Sequence, residues 1–328
     1  MTDEPRPEHP RTIRIGGADV HRLEAATEAF RALDYRHGGG SCRDAVEALV
    51  PYAELMLLGV VQEPTVPRLC TAVADLHNLV GWTSFDEGRP GAALAAFGRA
   101  LELATTAGND ELLANICYRI GRVHLHYDAV EEALNQFERG QAAARRTGSL
   151  HARAILSANM AWADAKQGGA SAALARLHAA RDEFAAAASV AAPPPWAAFF
   201  GETDLAAMTG TVYAELAQVV SVRHATEAID ALTIATDGYG RAMTRSLALT
   251  QIWLATARAL AGDLDEAARV GGAAIEVATE LQSERTKQRM SSLTAAASRY
   301  PGNADAREIL ERVDRLRGVA GPEQVTLQ

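Results

Sequence analysis

Sliding the sequence along itself by 40 residues brings the same kinds of residue into coincidence three times. Gly81 falls on Gly121 and Ala161, Ala93 on Ala133 and Ala173, Phe97 on Phe137 and Leu177, and Ala100 on Gly140 and Ala180. Small, small, large apolar, small is the order that two closely packed antiparallel helices require. The first two small residues let the axes approach, the large one fills the gap, and the last small one seats the next pair. A chain repeating such a unit stacks it into a solenoid, so the fold class is all-α. Composition agrees. Aromatics make up only 5% of the 328 residues, while alanine runs such as "LEAATEAFRA" and "DEFAAAASVAA" recur. Alanine costs least in a helix and lets helices come close. β-branched runs of strand length are scarce, and no sheet is expected.

The unit resembles the tetratricopeptide repeat, whose small and large apolar residues fall at these offsets. "NLVGWTSFDEGRPGAALAAFGRALELA" carries the pattern with Gly88 in the inter-helix turn, within a repeat at about 74–106. "YRIGRVHLHYDAVEEALNQFERGQAAA" follows within about 114–146, with Asp128 where the turn glycine would be. "NMAWADAKQGGASAALARLHAARDEFA" gives about 154–186. A degenerate copy at about 209–238 follows the insertion "VAAPPPWAAFFGETD", and a clearer one spans about 248–281, with Gly262, Ala267, Gly271 and Ala274 at the offsets. Residues about 19–58 read as a leading hairpin broken at "HGGG", and about 284–317 as capping helices. The resemblance implies one right-handed α-solenoid over residues 19–318, with a polar leader at 1–18 and a frayed tail at 319–328.

Taken together, "FRALDYRHGGGSCRDAV", "VADLHNLVGWTSFDEGRPGAALAAFGRALELATTAGND", "PPPWAAFF" and "ARALAGDLDEA" are similar to the C-terminal repeat half of actinobacterial helix-turn-helix (XRE-type) transcriptional regulators, over roughly residues 20–315. Those regulators carry a DNA-binding domain in front. Here about 20 polar residues precede the first helix, so the resemblance implies a regulatory role without a DNA-reading module.

Charge points the same way. The net charge is −9, whereas a nucleic-acid surface concentrates Lys and Arg against phosphate. The clusters Arg139, Arg145, Arg146 and Arg307, Arg312, Arg315, Arg317 read as solvated helix faces. Cys42, Cys70 and Cys117 form no C-x-x-C, which gives neither a local zinc motif nor a disulfide framework and points to a reducing cytoplasm. The start "MTDEPRPEHPRTIRIGG" has no apolar signal core, and the most apolar stretch is broken by Pro193, Pro194 and Pro195. No membrane segment is expected.

No catalytic constellation stands out, and neither a cofactor nor a metal is expected. "GYG" at Gly238 lacks a preceding strand and a third glycine. "GGGSC" reads as a turn before a helix capped by Ser41, which leaves Cys42 an ordinary half-buried cysteine or, at a helix N-terminus, a nucleophile. His124 and His126 diverge by about 200° on a helix and cannot share an ion. His124 and His77 read as packing residues.

The resemblance also assigns an inner face. The first helix of each hairpin lines the concave groove through its second, fifth, ninth and twelfth to thirteenth residues. Position by position this gives Asp75, Asn78, Trp82, Phe85 and Asp86, then Asn115, Tyr118, Arg122 and His126, then Ile155, Ala158, Trp162 and Lys166. Trp82, Arg122 and Trp162 share one position on three helices that stack about 10 Å apart. The tryptophans either bind a ligand or pack neighbouring helices together. Arg122, with a planar fork suited to carboxylate or phosphate, reads with Tyr118 and Asn115 as a binding residue. Trp196, Phe199 and Phe200 form either a lid or a core staple. The expected working surface is Asn78, Trp82, Asn115, Tyr118, Arg122, His126 and Trp162. The expected function is non-catalytic binding of a peptide, a protein segment or a small anionic effector, with a homodimer left open. The alternatives are an enzyme or enzyme accessory subunit using the groove as its active site, and the excised sensor half of a DNA-binding regulator.

Overall fold

The computed structural model describes residues 14–190, 192–240, 243–281 and 283–318. Fourteen α-helices among them form seven consecutive hairpins. The leading pair is α1 (Gly17–His37) and α2 (Arg43–Leu57). Three pairs follow in the 40-residue register: α3 (Val66–Asp86) with α4 (Pro90–Ala107), α5 (Asp110–His126) with α6 (Val130–Thr147), and α7 (Leu150–Lys166) with α8 (Ala170–Ala187). The rest are α9 (Glu202–Val219) with α10 (Ala225–Gly238), α11 (Thr244–Ala261) with α12 (Leu264–Glu280), and α13 (Glu284–Ala297) with α14 (Ala304–Gly318). Helices α3, α5, α7, α9 and α11 form an inner layer, buried on nearly every side, and their partners form an outer layer with one solvated face.

Local chemistry sets the breaks. Asn109 and Ser149 cap α5 and α7 by accepting hydrogen bonds from the backbone N–H groups of Leu112 and Ala152. Gly88, Asp128 and Gly168, each 40 residues from the next, turn the first helix of a hairpin into the second with φ of 76°, 63° and 77°. Aspartate tolerates this left-handed conformation better than most side chains, which explains how the turn survives without a glycine at 128.

The packing inside each hairpin explains the repeat pattern. A methyl group on Gly81 would lie 2.7 Å from the Phe97 ring, and one on Gly121 only 2.3 Å from the Phe137 ring. Where the plug is the smaller Leu177, the facing residue is Ala161. Glycine and phenylalanine are therefore exchanged together, at constant volume.

Three features differ from the sequence expectation. Arg14–Ile15 pairs in parallel with Val60–Val61, so a two-residue β contact exists where none was expected. It ties the segment before α1 to the loop after α2. Within the expected leader, α1 already begins at Gly17; residues 1–13 and the expected tail at 319–328 lie outside the described residues. The largest difference concerns the end of the chain. Helix α13 packs on α11 and reaches α3, and α11 in turn touches α1. The expected capping hairpin thus places its first helix across the concave face, and the groove becomes a cavity.

Candidate binding cavity

A buried ionic cluster closes the ring. Asp86, at the end of α3, is fully buried. Its carboxylate accepts from Arg245 Nη1 at 3.1 Å, Arg285 Nε at 3.2 Å, Ser283 Oγ at 3.0 Å and the backbone N–H of Gly39 at 2.9 Å. Asp34 on α1 accepts from Arg245 at 3.0 and 3.3 Å. The "HGGG" break follows from this contact, because a Cβ on Gly39 would lie 2.8 Å from the Thr83 carbonyl oxygen. Burial alone would raise the Asp86 carboxyl, but Arg245 and Arg285, with the Gly39 and Ser283 donors, hold it below its ordinary value. Burial pushes Arg285 down to about 10 despite Asp86, with Arg245 adding repulsion.

Behind this closure lies a cavity of about 170 Å³, partly open to solvent. The volume is comparable to the roughly 150 Å³ apolar cavity that accepts one benzene. Of the seven residues the sequence singled out, Trp82, Asn115, Tyr118, Arg122, His126 and Trp162 line it. Asn78 does not. It is fully buried and donates from Nδ2 to Asn115 Oδ1 at 2.7 Å, tying α3 to α5. Ile155 and Ala158 are likewise sealed between helices, and Lys166 turns away to Asp128 at 2.6 Å.

Both tryptophans carry two guanidinium groups. Over Trp82 lie Arg119 at 5.1 Å and Arg285 at 4.9 Å from the ring centre. Over Trp162 lie Arg122 at 5.1 Å and Arg289 at 5.0 Å. In each pair one arginine comes from α5 and the other from α13, so the tryptophans pack helices and line the cavity at once. Trp162 donates from Nε1 to Glu215 at 2.9 Å and meets Trp253 edge-on. His126 accepts at Nδ1 from Arg289 at 3.0 Å, which leaves Nε2–H to donate to Gln288 Oε1 at 2.7 Å. Burial and the charge on Arg289 push the His126 imidazole down to about 3, so the ring is neutral at pH 7. Arg289 is itself lowered to about 10 by burial, with Glu215 opposing and Arg122 adding repulsion.

The proline-rich insertion supplies the remaining wall. Trp196 stacks on Tyr118 at 6.2 Å and Phe199 lies 6.3 Å from the same ring. Phe199 and Phe200 line the cavity, while Phe200 also wedges among Phe184 and His151. The segment is wall and staple together. Asp204 accepts from Tyr239 Oη at 2.9 Å, and burial raises its carboxyl.

The residues that sequence reasoning missed are Arg285 and Arg289 on α13, Arg119 on α5, and Trp253 and Arg245 on α11. A signal existed for the first two: arginines four apart share one face of a helix, and that face also carries Leu293. Elsewhere, His77 pairs with Glu54 at 2.8 Å, and Cys42 is buried with its Sγ against the Phe30 and Gly39 carbonyl oxygens, where burial drives its thiol up to about 11, against the nucleophile reading. Among the described residues, no group of three or more His, Cys, Asp or Glu could hold a metal ion, and no helix is long and apolar enough to cross a membrane.

No protein-family model matches the chain, and no curated protein matches it in sequence. Solved structures do match in shape. A Rap protein, solved in complex with competence and sporulation factor, superposes with a TM-score of 0.52 over 91% of this chain and 92% of that one, at 13% identity. The fold is that of a tetratricopeptide-like α-solenoid. At this identity the likeness speaks for architecture alone.

Proposed function

We propose that this chain is a non-catalytic regulatory binding protein that takes an apolar peptide segment, or a small effector of equal bulk, into the cavity closed by α13. The observation that carries the reading is the cavity's lining: Tyr118, Trp162, Phe199, Met208, Leu249 and Trp253 alternate with fixed polar and charged side chains such as Asn115, Arg122 and Arg289. Apolar area for affinity beside convergent polar groups for orientation is the composition of ligand sites and of binding hot spots. Its volume admits one or two side chains, with the rest of a bound segment outside. The Rap neighbour, solved with a bound factor, supports the reading by shape. The sequence resemblance to actinobacterial regulators supports a role in controlling gene expression or specialised metabolism in the cytoplasm.

The test is capture from the native host followed by mass spectrometry of bound peptides and metabolites. Ala207, which lines the cavity, is replaced by phenylalanine to fill it. Capture by the wild type, lost in a folded Ala207→Phe variant, is the expected result. A partner retained equally by both would place binding elsewhere and overturn the reading.

A further inference from the structure

The cavity holds more positive charge than its neighbours neutralise. Arg245 and Arg285 are matched by Asp34 and Asp86. Among the described residues, Arg119, Arg122 and Arg289 form no ion pair, and each hydrogen-bonds to a neutral group instead. Arg119 is bonded to the Asn78 carbonyl at 3.0 Å, Arg122 only to Asn159 Oδ1 at 3.3 Å, and Arg289 to the neutral His126. Arg122 and Arg289 stand over the same indole, close enough that one disfavours charge on the other. Two like charges in a half-dry site cost free energy that cation–π contacts offset only in part. Such an arrangement is stabilised when an anion joins it.

We infer that the Arg122–Arg289 side of the cavity is a carboxylate site, taking the carboxylate of a molecule whose apolar part fills the space beside Trp162 and Trp253. This rests on the cavity being a ligand site. A planar guanidinium fork matches a carboxylate with paired bonds. The aromatic walls require the anion to carry an apolar group. Glu215, bonded to Trp162 and 3.9 Å from Lys166, and Asp204 on the cavity wall reduce the positive excess, which favours a monoanion over a phosphate dianion. The carboxylate has two sources, a peptide C-terminus or a free organic acid.

Calorimetry on the full chain distinguishes them. The probes are phenylacetate, phenylacetamide, inorganic phosphate, and a tetrapeptide ending in phenylalanine with a free or an amidated terminus. At least one free carboxylate is expected to bind, with its amide partner weaker by roughly 30-fold or more, since losing one member of a buried charged contact costs that much or more. Arg122→Gln and Arg289→Gln should each weaken it similarly, and the exposed Arg139→Gln should not. Tight binding of the peptide acid but not phenylacetate assigns the site to a chain terminus; the reverse assigns it to a small acid. Amides binding as well as acids, arginine variants binding as wild type, or binding of phosphate but of no carboxylate would each overturn the inference, as would no binding by any carboxylate. Equal binding of amide and acid leaves the cavity reading intact, whereas that reading fails separately if Ala207→Phe captures the native partner unchanged.

Discussion

The guanidinium of Arg289 sits 5.0 Å from the centre of the Trp162 ring, joining a helix from the end of the chain to one from its middle. The contact is worth about 0.5–2 kcal/mol, yet Arg289 is paired with no carboxylate, and burial and Arg122 disfavour its charge more than the nearby Glu215 favours it. Replacing a buried, incompletely compensated charge by an apolar side chain of similar length is often neutral or stabilising. Arg289→Met should therefore change stability by no more than about 1–2 kcal/mol, with a gain as the expected sign. Urea denaturation measures it; a loss above that range would show that Arg289 holds α13 in place.

Asp86 predicts the opposite behaviour. Its carboxylate takes four donors from three separate segments. Asp86→Ala leaves Arg285 with no carboxylate and Arg245 with Asp34 alone. Removing one partner from a buried ion pair costs about 3–5 kcal/mol. The loss should be local first, so α13 amides should exchange faster than those of α6. Uniform acceleration in hydrogen exchange would mean that closure and shell form one cooperative unit.

Much of this architecture was legible because it is local. Gly121 and Phe137 lie 16 residues apart, within one hairpin, and recur at a fixed period. The inner-face assignment of Trp82, Arg122 and Trp162 followed from the same period. Closure left no such trace. Asp34 and Arg245 are separated by 211 residues and occur once, so neither spacing nor periodicity links them. Asn78 and Asn115 show a further limit: inner-face residues on adjacent inner helices can bond to each other, and polarity on an inner face does not by itself distinguish a ligand contact from an inter-helix tie.

His126 should make stability depend on pH. The unfolded chain takes up this proton near pH 6.5, whereas the folded chain resists it until about pH 3. Between those values the unfolded state holds more protons, so stability is full above about 6.5 and falls as pH is lowered, by at most about 1.4 kcal/mol per unit. His77 acts in the same direction, since burial lowers it despite Glu54. His126→Gln keeps an acceptor for Arg289 and removes the titration. Denaturation midpoints at pH 7.5, 6 and 5 should therefore fall less steeply in the variant; parallel slopes would show that the imidazole is not desolvated.

The exchange of glycine with phenylalanine predicts a compensating pair. Gly121→Ala places a methyl group 2.3 Å from the Phe137 ring, well inside contact distance, and Phe137 is fully buried. Overpacking of this kind costs about 1–3 kcal/mol. Phe137→Leu alone leaves a void, with a cost on the order of 1–3 kcal/mol. Combined, the two changes reproduce the Ala161–Leu177 pairing found 40 residues later, where both residues are fully buried. The double variant should therefore be more stable than the sum of the single costs allows, with a coupling of about 0.5–3 kcal/mol. Chemical denaturation of the four chains in the cycle measures this directly. Strict additivity would mean that the two positions do not share one packing volume, and that the 40-residue pattern has another cause.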